Sequence, residues 1–135
     1  MNDDSLLGLV LTGRAEIHLM MGDAALADAE LQAAEQAYQR VQFRSGLAEV
    51  WRVRAGVARV RHDIAGAVRL LKEAAESART HATAEVLSAT ERDLGAALEA
   101  AGDTAGARAA RERALAIFRR LGAADEIHAL EALLA

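Results

Sequence analysis

Hydrophobic positions along this chain recur at helical spacing, and the stretch "WRVRAGVARVRH" (Trp51–His62) shows how. Its opening alternates apolar and charged residues as a half-buried strand would. Over the whole stretch, however, Val50, Val53, Val57 and Val60 fall at i, i+3, i+7 and i+10, one stripe of a helix turning 100° per residue. Leu47, Trp51, Ala55 and Ala58 form a second stripe beside it. A helix with two apolar stripes is expected to pack on two neighbours at once, as in a stacked array. Arg54 and Arg61 fall between the stripes, where their stems can lie across apolar surface. Arg52 and Arg59 share the opposite face with Glu49 and Gly56.

The same spacing predicts helices near residues 6–21, 24–41, 46–61, 64–81, 85–101 and 104–121, with a last one in "ADEIHALEALLA". Gly22-Asp23, His62-Asp63 and Gly102-Asp103 stand forty residues apart, each between one predicted helix and the next. An aspartate there caps the free N–H groups of the helix it opens and favours the positive end of its dipole. A glycine before it suits the left-handed turn that closes the preceding helix. At the same offset, small residues recur at Ala15, Ala55 and Gly95, at Ala27, Ala67 and Ala107, and at Ala34, Ala74 and Ala114. Leu7, Leu47, Leu87 and Ile127 mark the entry to each first helix. The connections "QFRSG", "THATA" and "LGAAD" are short and small or polar, as between stacked helices. The repeating unit is helix, tight turn, helix, loop.

This arrangement resembles the tetratricopeptide repeat, on the strength of the small columns and the Gly-Asp-like turn. Trp51 stands where that family favours a large residue before the first small one, and "LGAAL" (Leu94–Leu98) fits the same stretch. The forty-residue period resembles the longer-helix variant found in large bacterial signalling regulators. There are departures. The chain has no proline, so the family's proline near the end of the second helix is missing. Arg14 and Arg54 stand where leucine is usual, and Arg111 where a large apolar residue is usual. The expectation is one all-α domain over residues 1–135. It reads as a right-handed α-solenoid of three helix-turn-helix repeats (6–45, 46–84 and 85–124) with a C-terminal capping helix at 125–135.

The resemblance implies a concave groove lined by the face that carries Glu49, Arg52, Gly56 and Arg59. Leu9, Thr12, Glu16 and Leu19 would be the equivalents in the first repeat, and Ala89, Arg92, Ala96 and Glu99 in the third. Glu16, Glu49, Arg52, Arg59, Arg92 and Glu99 are therefore the expected groove residues. Arginine grips a carboxylate with two parallel hydrogen bonds, which suits an acidic segment or a chain terminus. Alternatively these arginines pair with Glu16, Glu49 and Glu99 and only solvate a face. The asparagines of the family's best-known carboxylate-holding groove are missing.

Composition narrows the chemistry. Aromatics are only 3% of 135 residues, so the core has to be built from small aliphatic side chains on good helix formers. With no cysteine, disulfides, thiolate zinc sites and a cysteine nucleophile are excluded. His81 with Glu85 and His128 with Glu131 have helical spacing but lack the further ligands of a metal site, so no metal or other cofactor is expected. "GDTAG" has neither the lysine nor the preceding strand of a phosphate loop, and Ser5, Ser45, Ser77 and Ser88 have no recognisable base partner. The net charge is −4, and Arg108, Arg111, Arg113, Arg119 and Arg120 spread around their helix, so direct nucleic-acid binding is not expected. Acidic residues precede the short apolar run at the N-terminus, unlike a signal peptide, and the run is too short to span a bilayer. A cytoplasmic protein without membrane contact is expected.

Two apolar ends complete the reading. "SLLGLVL" and "IHALEALLA" either bury inward on the array's own core or dock on a second copy or a larger parent protein. The expected function is a non-enzymatic protein–protein interaction scaffold or adaptor that holds a peptide or protein segment in its groove. The alternative is a structural or oligomerisation module, such as a homodimer formed through the array's ends or a piece of a larger bacterial signalling regulator.

Overall fold

The computed structural model describes residues 3–135. Seven helices run through them: α1 (Asp3–Met20), α2 (Ala24–Arg40), α3 (Arg44–Val60), α4 (Ile64–His81), α5 (Ala84–Ala100), α6 (Thr104–Leu121) and α7 (Ala124–Leu134). No strand occurs among the described residues. The fold is an all-α solenoid.

Local chemistry sets the helix limits. Asp23, Asp63 and Asp103 each open a helix, accepting at Oδ1 from the backbone N–H of Leu26, Gly66 and Gly106 at 3.0, 2.9 and 2.8 Å. The residue before each aspartate is left-handed, with φ of +86° at Gly22, +63° at His62 and +85° at Gly102. α1, α3 and α5 each take in residues before the starts their spacing suggests. α1 takes in Asp3 and Asp4, whose carboxylates favour the positive end of the helix dipole. α3 begins at Arg44, because Gln42 turns the chain in a left-handed conformation (φ +54°) and "RSG" is already helical.

Packing follows the two-stripe pattern. Val50, Val53 and Val57 pack back on Ala15, Ala27, Leu31, Ala34 and Tyr38 of the preceding hairpin. Ala55 packs forward with Leu94, Ala97 and Leu98. Leu47 and Trp51 depart from the second stripe by lying half-buried on the first cluster. Gly8 and Gly46 bracket the Tyr38 ring: a Cβ at either would lie 2.5 Å from a ring carbon. The alanine columns at 27, 67 and 107 and at 34, 74 and 114 are all buried.

The helices form two unlike layers. The backbones of α1 and α3, and of α3 and α5, come close together, whereas those of α2 and α4, and of α4 and α6, stay further apart. A layer whose members touch, backed by one whose members are spread, curves toward the touching side. The exposed faces of α1, α3 and α5 are therefore the concave side. α7 packs on α6 through Leu130, which is buried with Ala114, Leu115 and Phe118, and does not reach α5.

Candidate functional site

Arg52 is the centre of the concave face. Its stem rises from α3, and its guanidinium meets a carboxylate from each of the three touching helices. It donates to Glu49 on its own helix at 2.5–3.2 Å, to Glu16 of α1 at 3.2 Å and to Asp93 of α5 at 2.8 Å. Only 11% of the side chain is exposed. Burial works to lower its pKa, but hydrogen bonds and charge from Glu49, with Asp93 behind them, win and hold it above the ordinary arginine value. Arg52 thus carries a permanent charge that the protein itself has already neutralised.

The other expected residues are not gathered there equally. Arg92 donates from Nε and Nη2 to Asp93 Oδ1 at 3.3 and 3.2 Å, so Asp93 is shared between two arginines. Glu99 leaves the group and accepts from Arg111 of α6 at 2.7 Å. That hydrogen bond, with the arginine's charge, lowers the Glu99 carboxyl below the usual value. Arg59 is exposed, and no partner holds it among the described residues. It borders a depression of about 270 Å³ with Glu16, Leu19, Met20, Gly56 and Asp93. The site therefore comprises a floor of three carboxylates around the Arg52 and Arg92 guanidiniums, one further guanidinium, Arg59, that none of them holds, and an apolar edge, with Met20 83% exposed.

Asp93 was not among the expected residues. In the forty-residue register it stands with Gly13 and Val53, a column that reads as apolar packing. The one available signal was a charge in that column beside Arg92.

The three arginines that break the repeat pattern each find a carboxylate. Arg54 meets Glu35 at 2.8 Å and Arg111 meets Glu99. Arg14 lies 3.0 Å from Glu30, a contact of charge without a directed hydrogen bond at Oε2. Glu30, nearly buried, also contacts His18 Nδ1. Elsewhere, Glu91 is 1% exposed between Arg79 at 2.8 Å and Arg113 at 3.0 Å. His81 faces Arg44 at 3.3 Å across a larger groove of about 620 Å³ floored by Leu47 and Trp51. No group of three or more metal-ligating side chains occurs among the described residues, nor any helix long and apolar enough to cross a membrane.

No protein-family model and no curated protein matches the sequence. The structure is similar to the N-terminal domain of stress-induced protein-1 (STI-1) from C. elegans, with a TM-score of 0.69 and 17% identity. The match covers 97% of this chain and 99% of that one. The fold is a tetratricopeptide-like helical repeat. Within such a tetratricopeptide-like array, the clamp at Arg52 spans three consecutive first helices.

Proposed function

We propose that the chain is a non-enzymatic protein-interaction scaffold whose concave face holds a peptide or protein segment. It is read as one domain over residues 1–135, with repeats at 6–45, 46–84 and 85–124 and a terminal helix at 125–135, a longer-period member of the tetratricopeptide type acting in the cytoplasm. Unbroken packing from α1 to α7 supports the single domain. The observation that carries the function is Arg59, exposed and unclaimed beside Leu19 and Met20 on a face whose other charges are paired. A ligand segment with a carboxylate near an apolar side chain satisfies both features. Glu16, Glu49, Arg52 and Asp93 then set the shape of the groove, while Arg59 and the more exposed Arg92 meet the ligand. Preformed helices keep the ordering cost on the receptor side small.

The test is selection from a displayed library of random peptides. Wild type is expected to enrich acidic, partly apolar peptides whose binding weakens with salt. Arg59→Glu, which leaves the Arg52 clamp intact, is expected to weaken them about tenfold or more. No enrichment, or equal binding by the variant, overturns the groove.

A second reading, a module that makes its contacts through the array's ends, is favoured by one observation. Leu6, Leu9, Val10 and Ile17 of α1 and Leu133 of α7 are each roughly half exposed.

A further inference from the structure

We propose that Asp93 is a built-in competitor for the ligand's carboxylate, and that it restricts the concave face to segments with a single acidic residue, placed at Arg59. This deepens the groove reading above and rests on it. Asp93 bridges two guanidiniums. Its Oδ2 accepts from Arg52 Nη1 at 2.8 Å, and its Oδ1 accepts from Arg92 Nε and Nη2 at 3.3 and 3.2 Å. One carboxylate with an oxygen on each of two arginines is the arrangement a ligand carboxylate would take at the same place. Among the described residues, neither Arg52 Nη1 nor Arg92 has another hydrogen-bonding partner.

The rest of the Arg52 clamp does not depend on Asp93. Nε and Nη2 of Arg52 donate to Glu49 of α3 and Glu16 of α1. Removing the Asp93 charge therefore leaves the Arg52 side chain held and releases only Nη1 and the Arg92 fork. The carboxylate is also peculiar to α5. Its register partners in α3 and α1 are Val53 and Gly13, neither of which carries a charge.

The charges of this face determine what Asp93 excludes. Arg52, Arg59 and Arg92 stand against Glu16, Glu49 and Asp93, so the six together carry no net charge. Asp93, 31% exposed, borders the same depression as Arg59. A first ligand carboxylate meets Arg59, which no carboxylate of the chain holds. A second one aimed at Arg92 meets Asp93 already in its place, and like charges brought together repel. Arg92 also borders a further depression of about 400 Å³ with Phe118 and Leu121 of α6. A segment reaching from one depression to the other passes Asp93.

Selection from a displayed library of random peptides, run in parallel on wild type, Asp93→Asn and Glu112→Gln, tests this. Asparagine keeps the size of the side chain and an oxygen for Arg52, and circular dichroism confirms that each variant is folded. Glu112→Gln loses the same charge from an exposed side chain of α6, outside the concave face. Peptides selected on wild type are expected to bind Asp93→Asn about tenfold more tightly and Glu112→Gln unchanged. Peptides selected on Asp93→Asn are expected to carry a second acidic residue and to bind wild type about tenfold more weakly than the variant. No enrichment on either wild type or Asp93→Asn overturns the proposal together with the groove reading beneath it. Enrichment on wild type with equal or weaker binding by Asp93→Asn, or with an equal gain in Glu112→Gln, overturns the role of Asp93 alone.

Discussion

His62 holds a conformation that glycine holds at the two equivalent turns, with φ of +63° against +86° and +85°. For a residue with a Cβ, that backbone is strained by about 1–2 kcal/mol, part of which glycine gives back through its freer unfolded state. His62→Gly is therefore expected to raise stability by about 0.5–1 kcal/mol, and Gly102→Ala to lower it by about 1 kcal/mol. Urea midpoints at unchanged slope check both. The three capping aspartates were legible in the sequence because a cap is local chemistry. Arg52 was only partly so. Its Glu49 contact follows from helical spacing, but Glu16 and Asp93 reach it from other hairpins. Glu91 was illegible by composition, since a glutamate beside arginines reads as a solvated face. Only its register with Leu11 and Trp51 marks the position as interior.

Among elements, α1 carries two glycines with opposite roles. A Cβ at Gly8 would lie 2.5 Å from the Tyr38 ring, which Gly46 blocks on its other side, whereas a Cβ at Gly13 meets nothing. Gly8→Ala is expected to destabilise by about 1–3 kcal/mol through overpacking. Gly13→Ala, measured in dilute protein, is expected to stabilise by up to about 1 kcal/mol through helix propensity. Thermal unfolding of the two variants side by side checks the difference in sign. This contrast also explains why helix starts were the least legible part of the elements. "QFRSG" reads as a loop because glycine breaks helices, yet Gly46 lies inside α3, where the tyrosine leaves no space for a side chain. Apolar periodicity fixes which face of a helix is buried, but not the residue at which the first turn closes. The outward face of α1 is a different case. "SLLGLVL" allowed inward burial, but no helix covers that side of α1 among the described residues, and Leu6, Leu7, Leu9 and Val10 are exposed.

At the scale of the whole molecule, packing passes only between neighbours, apart from the α1–α3 and α3–α5 contacts of the inner layer. Stability in such an array is a sum of local terms, and its ends open first. Native-state amide exchange is expected to be slowest in α3 and α4 and fastest in α7, which leans on α6 alone. Uniform protection from α1 to α7 would show a single cooperative block instead. The forty-residue period made the order of the elements legible, since hairpins that repeat in sequence must stack to cover their apolar faces. Curvature was not legible from the residues themselves, because it depends on which layer of helices touches. The Arg52 clamp has a mechanical meaning. A solenoid behaves as a spring, and in this one a single guanidinium ties three successive coils at the same level. Tension applied between the two termini would draw out the last coil while the tied ones keep their pitch. The guanidinium at its centre is largely out of water, so added salt should slacken it less than an exposed pair.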